Sequence, residues 1–152
     1  TTAMTDATPE RPRYYDRDGL PIDIEQFSQL HGDLDYVVVA RFVCEDGAWL
    51  STVWLGIDHS FALDLETPPI IFETLGFLAN RSDEVVGCRY STFEQAIAGH
   101  YEQLAELLAL RAATNQRSSN RSPTSRARRA PRRSGSPRRR SCTSRKGARR
   151  PR

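Results

Sequence analysis

The character of the chain changes completely at Arg117. From there to the end it reads RSSNRSPTSRARRAPRRSGSPRRRSCTSRKGARRPR, with no aromatic residue and no Leu, Ile or Val. A segment with nothing apolar to bury cannot offset the entropy lost on ordering, so residues 114–152 are expected to form a disordered tail. A fold has to come from the residues before it, enough for one small domain.

Charge divides at the same place. Residues 1–116 hold 7 of the 22 basic residues and all 19 acidic ones, a balance of −12, while residues 117–152 carry +15. Such asymmetry points to nucleic-acid or membrane contact. All the basic residues except Lys146 are arginine, which makes forked contacts to phosphate and stacks on bases. The candidate nucleic-acid-binding residues are Arg126, Arg128, Arg129, Arg132, Arg133, Arg138, Arg139, Arg140, Arg149 and Arg150. Binding to DNA or RNA by this tail would be driven by counterion release and steeply salt-dependent. With no aromatics and no reading helix it would have little sequence specificity. Shifted GC-rich codons encode the same residue types, so a frame artefact appended to an acidic docking domain is an alternative.

Residues 1–13 are polar, contain Pro9 and Pro12, and read as a flexible arm. Met4 is a candidate start. In YYDRDGLPIDIEQFSQLHG, DRDG is a turn, and Asp23 with Gln26 has capping-box spacing. Ile22 and Phe27 occupy the staple positions, and Gly32 is a stop. A helix over 24–31 would bury Ile24, Phe27 and Leu30. Four strands are expected at 35–44, 49–57, 69–77 and 84–90, with Glu45-Asp46-Gly47 turning the first pair and Gly76 and Gly87 marking weak points or bulges. In the first strand Val38, Ala40 and Phe42 share one face. In the second, Trp49 and Trp54 point to opposite faces, so one belongs to a core and the other to a second layer or a binding surface. Ser91 with Glu94 opens a helix whose stripe is Phe93, Ile97, Tyr101, Leu104 and Leu108, widened by Ala96, His100 and Leu107. Short connections favour an antiparallel meander. The expectation is an α+β domain at 14–113: a small sheet packed on a C-terminal amphipathic helix, with one short N-terminal helix.

Chemistry-bearing groups are sparse. Asp58-His59 ends a strand, and with Glu73 (and Glu66 or His100) it offers imidazole and carboxylate for a divalent metal or an acid–base pair. The competing reading is an Asx turn at Asp58. Asp16, Asp18 and Glu25 fall at the third, fifth and twelfth positions of a calcium loop, but Tyr14 stands at the first. His100, on an apolar stripe, reads as a core histidine. Cys44, Cys88 and Cys142 have neither zinc nor disulfide spacing, and the first two read as buried hydrophobes. No GxSxG, GxxxxGK[ST] or GxGxxG occurs, and no cofactor is expected. No signal peptide is expected and no apolar run reaches membrane-span length, so the expectation is a cytoplasmic protein without a membrane partner.

Several motifs occur in order: Tyr14, Tyr15, Asp16, Gly19, Pro21 and Ile22; then Ser51 to Gly56 with Asp58 and His59; then Pro68 to Thr74; then the helix entered through Tyr90. Over roughly residues 14–105 this pattern resembles a family of small uncharacterised proteins from actinobacteria and their bacteriophages. The chain departs from it in the ALDLET loop, where relatives are glycine-rich, and in the basic tail. The resemblance implies a bacterial host cell and no known activity. The leading expectation is a non-enzymatic accessory module whose tail binds nucleic acid. The alternatives are a metal-dependent enzyme using Asp58, His59 and Glu73, or an acidic face that docks a basic protein.

Overall fold

A computed structural model describes residues 10–119. The ten tail arginines, Cys142 and most of the N-terminal arm lie outside them. The first reversal is made by a side chain: Asp16 Oδ1 accepts from the amides of Asp18 (3.0 Å) and Leu20 (2.8 Å). This closes a small antiparallel hairpin of β1 (Tyr14–Tyr15) and β2 (Pro21–Ile22). Helix α1 (Ile24–His31) follows with both halves of the expected capping box, Asp23 accepting from the Gln26 amide and Gln26 from the Asp23 amide. Phe27 and Leu30 are half-buried, but Ile24 is 62% exposed, contrary to expectation. It opens the helix one turn before Phe27, and its place in the apolar pattern does not translate into burial. Gly32 ends α1 in the right-handed region (φ −77), not the left-handed one.

The expected start of the first strand also needs correction. Asp33 caps a single helical turn, α2 (Leu34–Val37), by accepting from the Asp35 and Tyr36 amides. An Asx cap outweighs β propensity at Tyr36 and Val37. Extended chain begins only at β3 (Val38–Val43), and a register shift between Val38 and Ala40 breaks the simple alternation read from the sequence.

Strands β4 (Trp49–Trp54), β5 (Phe72–Phe77) and β6 (Val86–Tyr90) complete a four-stranded antiparallel sheet in the order β3-β4-β5-β6. Each is shorter than its apolar run. β4 stops because Gly56 takes φ +69, and a Cβ there would lie 2.5 Å from the Trp54 ring and 2.7 Å from Phe27. Register is continuous through Gly76 and Gly87, so neither is a bulge. Gly76 instead makes room for Val86 and Leu50, which a Cβ would approach to 2.5 and 2.7 Å.

One face of the sheet packs on helix α3 (Phe93–Ser119). Its start lies one residue later than expected. Thr92 Oγ1 accepts from the Gln95 amide, and Gln95 Oε1 accepts from the Ser91 and Thr92 amides, so Glu94 takes no part. The buried line is Ala96, Gly99, His100 and Leu107, whereas Tyr101 is 68% exposed. The helix runs past Ala113 because nothing in AATNQRSS breaks it. Arg111 ties it to the β3–β4 turn through Asp46 (2.5 Å).

The core has two parts. Leu50, Leu78, Val86 and Leu107 pack together at one end of the helix-covered face. At the other end Tyr15, Trp54, Ile71, Phe72, Cys88, Tyr90 and Ala96 join the sheet to the N-terminal elements. Cys44 and Cys88 are both buried, but of the two only Cys44 carries a free thiol; Cys88 is disulfide-bonded, so it is not the plain buried hydrophobe its context suggested. No helix among the described residues is long and apolar enough to cross a membrane.

Candidate functional site

Asp58 sits just beyond β4, and all its accepting capacity is engaged. Oδ1 accepts from the amides of Ser60 (2.8 Å) and Ile70 (3.0 Å), and Oδ2 from Arg11 Nε (2.7 Å) and Ser60 Oγ (3.0 Å). Arg11 continues the frame, donating to the carbonyls of Asp64 and Thr67 and to Ser60 Oγ. Asp64 caps its own turn through the Glu66 and Thr67 amides and the Thr67 hydroxyl. The carboxylate thus closes an Asx turn and fixes both ends of the 58–70 loop. Burial pushes the Asp58 carboxyl up, but the Ser60 amide, Arg11, the Ser60 hydroxyl and the Ile70 amide together hold it below the usual range.

His59 is half-buried, and its amide donates to the Ile70 carbonyl (2.9 Å). Burial lowers its pKa, and the Arg89 guanidinium lowers it further against the pull of Glu73 and Asp58. Glu73 accepts from Arg89 Nε at 2.7 Å. The structure therefore brings Asp58, His59 and Glu73 into one neighbourhood, but Asp58 is engaged by the loop and Glu73 by an arginine. Glu66 is exposed on the loop, and His100 lies inside the helix–sheet layer. Among the described residues no three His, Cys, Asp or Glu side chains are grouped to hold a metal ion. This includes Asp16, Asp18 and Glu25: Asp16 serves the hairpin turn and Glu25 lies in the first turn of α1.

His100 Nδ1 lies 2.8 Å from Thr52 Oγ1, which lies 2.6 Å from Thr74 Oγ1, all three residues being buried. Burial lowers the His100 pKa. A histidine whose folded pKa lies below its unfolded value contributes stability at neutral pH. That stability is lost as pH falls from about 6.5 toward the folded value, because only the unfolded chain takes up the proton. His59 acts with the same sign. Urea midpoints should therefore drop between pH 7 and pH 5 in the native chain. They should drop less in a His59→Asn/His100→Asn variant, whose amides do not titrate.

The second face of the sheet was only partly anticipated. Trp54 is core, 1% exposed, and Trp49 is the tryptophan that points the other way. Register places Trp49, Ser51 and Val53 beside Phe77, Leu75 and Glu73, with Arg41, Val43 and Arg89 on the flanking strands. Trp49 and Phe77 stack at 4.5 Å, and the Arg41 guanidinium lies 5.9 Å from the Trp49 ring centre. Among the described residues no helix packs on this face; α3 and the N-terminal elements are on the other side. The signal in the sequence was the odd–even separation of the two tryptophans, which gives two faces but not which one is covered. Comparison of the chain with family models, with curated proteins and with solved structures finds no match.

Proposed function

We propose that this chain is a non-enzymatic interaction module whose arginine-rich segment associates with nucleic acid, as an accessory protein of an actinobacterial or bacteriophage setting. The observation that carries the reading is the segregation of charge, +15 in residues 117–152 against −12 before them. The described geometry supports it from the other side. The carboxylates of the Asp58 corner hold a loop and an arginine, while a sheet face with stacked aromatics is left uncovered by the described residues. The negative domain repels a polyanion, which leaves the basic segment as the contact.

The test is fluorescence anisotropy on duplex DNA, comparing the full chain with residues 1–119 across a salt series. The full chain should bind with a steep log–log slope, each neutralised phosphate adding about 0.9. The truncated chain should bind roughly a hundredfold more weakly or worse at low salt. Equal weak binding by both, or a slope near zero, removes the proposal.

A further inference from the structure

Two apolar surfaces of the ordered domain stand uncovered by the described residues, and they belong to opposite ends of the sheet. One is the Trp49–Phe77 stack on the open face, next to Val43, which is 57% exposed. The other is the loop joining β4 to β5, where Phe61, Leu63 and Leu65 are 86, 97 and 52% exposed. This loop is built to project. Arg11, Asp58 and Asp64 hold its ends, as described above, and Phe61 takes φ +57, a backbone region unfavourable for a bulky residue. His59, at the loop base, senses both Glu73 and Arg89, which lie on the open face.

Charge is complementary between the two surfaces. Arg41 is exposed beside Trp49 and forms no ion pair within the described residues. Glu66 is exposed on the loop and likewise forms none there. In a domain this acidic, a cation next to the apolar stack selects for an acidic apolar segment, and FALDLE is one.

We propose that the occupant of the open face is a second copy of this chain. Two copies stack open face to open face about a two-fold axis near Ser51 and Leu75, which pair at the centre of the sheet. The axis reverses strand direction, so the loop end of each copy falls on the Trp49–Phe77 end of the other, and Glu66 approaches the Arg41 guanidinium where it leans from the central row toward Trp49. Such self-complementarity is what a closed dimer requires. Size favours including the loops. Four strands at about 4.8 Å spacing and about 20 Å length cover roughly 400 Å², whereas a stable interface buries about 800 Å² per partner. The inference does not depend on the basic segment, and loss of DNA binding would leave it standing.

The experiment is sedimentation of the full chain over a micromolar dilution series at physiological ionic strength. The expected species is a dimer. Leu63→Asp, at a nearly fully exposed position, should leave the far-UV circular dichroism spectrum of the folded chain unchanged and weaken dimerisation roughly thirtyfold or more. Arg41→Glu and Glu66→Arg should each weaken it, and the double variant should recover most of the loss. A monomer at every concentration overturns the proposal. So does a dimer indifferent to Leu63→Asp and to both charge reversals, since association of basic segment with acidic domain would behave that way.

Discussion

Trp54→Ala should destabilise the domain by about 3–5 kcal/mol, a large part of the 5–15 kcal/mol typical of a domain's whole stability. The side chain is 1% exposed and sits where the sheet meets the N-terminal elements. Tyr36 meets it edge-on at 5.1 Å, and Phe27 lies tilted at 5.8 Å. Its Nε1 donates to the Tyr15 carbonyl at 3.2 Å. Truncation removes the ring that α1, α2 and the β1–β2 hairpin all use, and it leaves a buried carbonyl without its donor. Urea denaturation followed by far-UV circular dichroism measures the loss without relying on the deleted fluorophore. Trp54→Phe keeps the aromatic contacts and loses the hydrogen bond and one ring, so it should cost about 1–2 kcal/mol. A native midpoint in Trp54→Ala would mean that the N-terminal elements are not held through this residue. The remaining Trp49 would then report on the open face alone.

The elements that could be read from the sequence were those whose signals are local. Asp23 and Gln26 name the start of α1 unaided, because a capping box needs only two side chains three residues apart. The alternating pattern of β4 separates its two faces correctly, with Leu50, Thr52 and Trp54 buried against the helix. What failed depended on competition or on distance. At 34–37 an Asx cap and β-branched propensity pull in opposite directions, and the cap wins. At 91–95 two overlapping capping-box spacings exist, and Thr92 with Gln95 forms where Ser91 with Glu94 does not. Gly76 reads like a bulge in a linear sequence, but it is a contact made by residues 10 and 26 positions away, Val86 and Leu50. The Asp58 corner was legible only as a choice between a site and a turn. Its decisive partner, Arg11, lies 47 residues earlier in what read as a loose arm.

Asp58→Ala is the substitution that separates those two readings, and it should cost about 3 kcal/mol. Both members of the Arg11–Asp58 pair are shielded, with side chains 11 and 8% exposed. Removing the carboxylate strands the guanidinium and frees two amides, those of Ser60 and Ile70, at the ends of the loop. Asp58→Asn retains an oxygen for those amides but loses the charge, and it should cost about 1–2 kcal/mol. Acid titration supplies an independent check. The folded pKa of Asp58 lies below the unfolded value of about 3.9. Its contribution is therefore complete above that value and disappears as pH falls through the folded one. The native chain should lose stability below about pH 4, and the Asn variant, with no proton to take up there, should lose less. A group held ready for metal or proton transfer behaves in the opposite way. Its removal relieves a crowded negative site, and stability stays level or rises. Should Asp58→Ala keep or raise the urea midpoint, the loop does not depend on this carboxylate, and Asp58 with His59 and Glu73 returns as the place to look for chemistry.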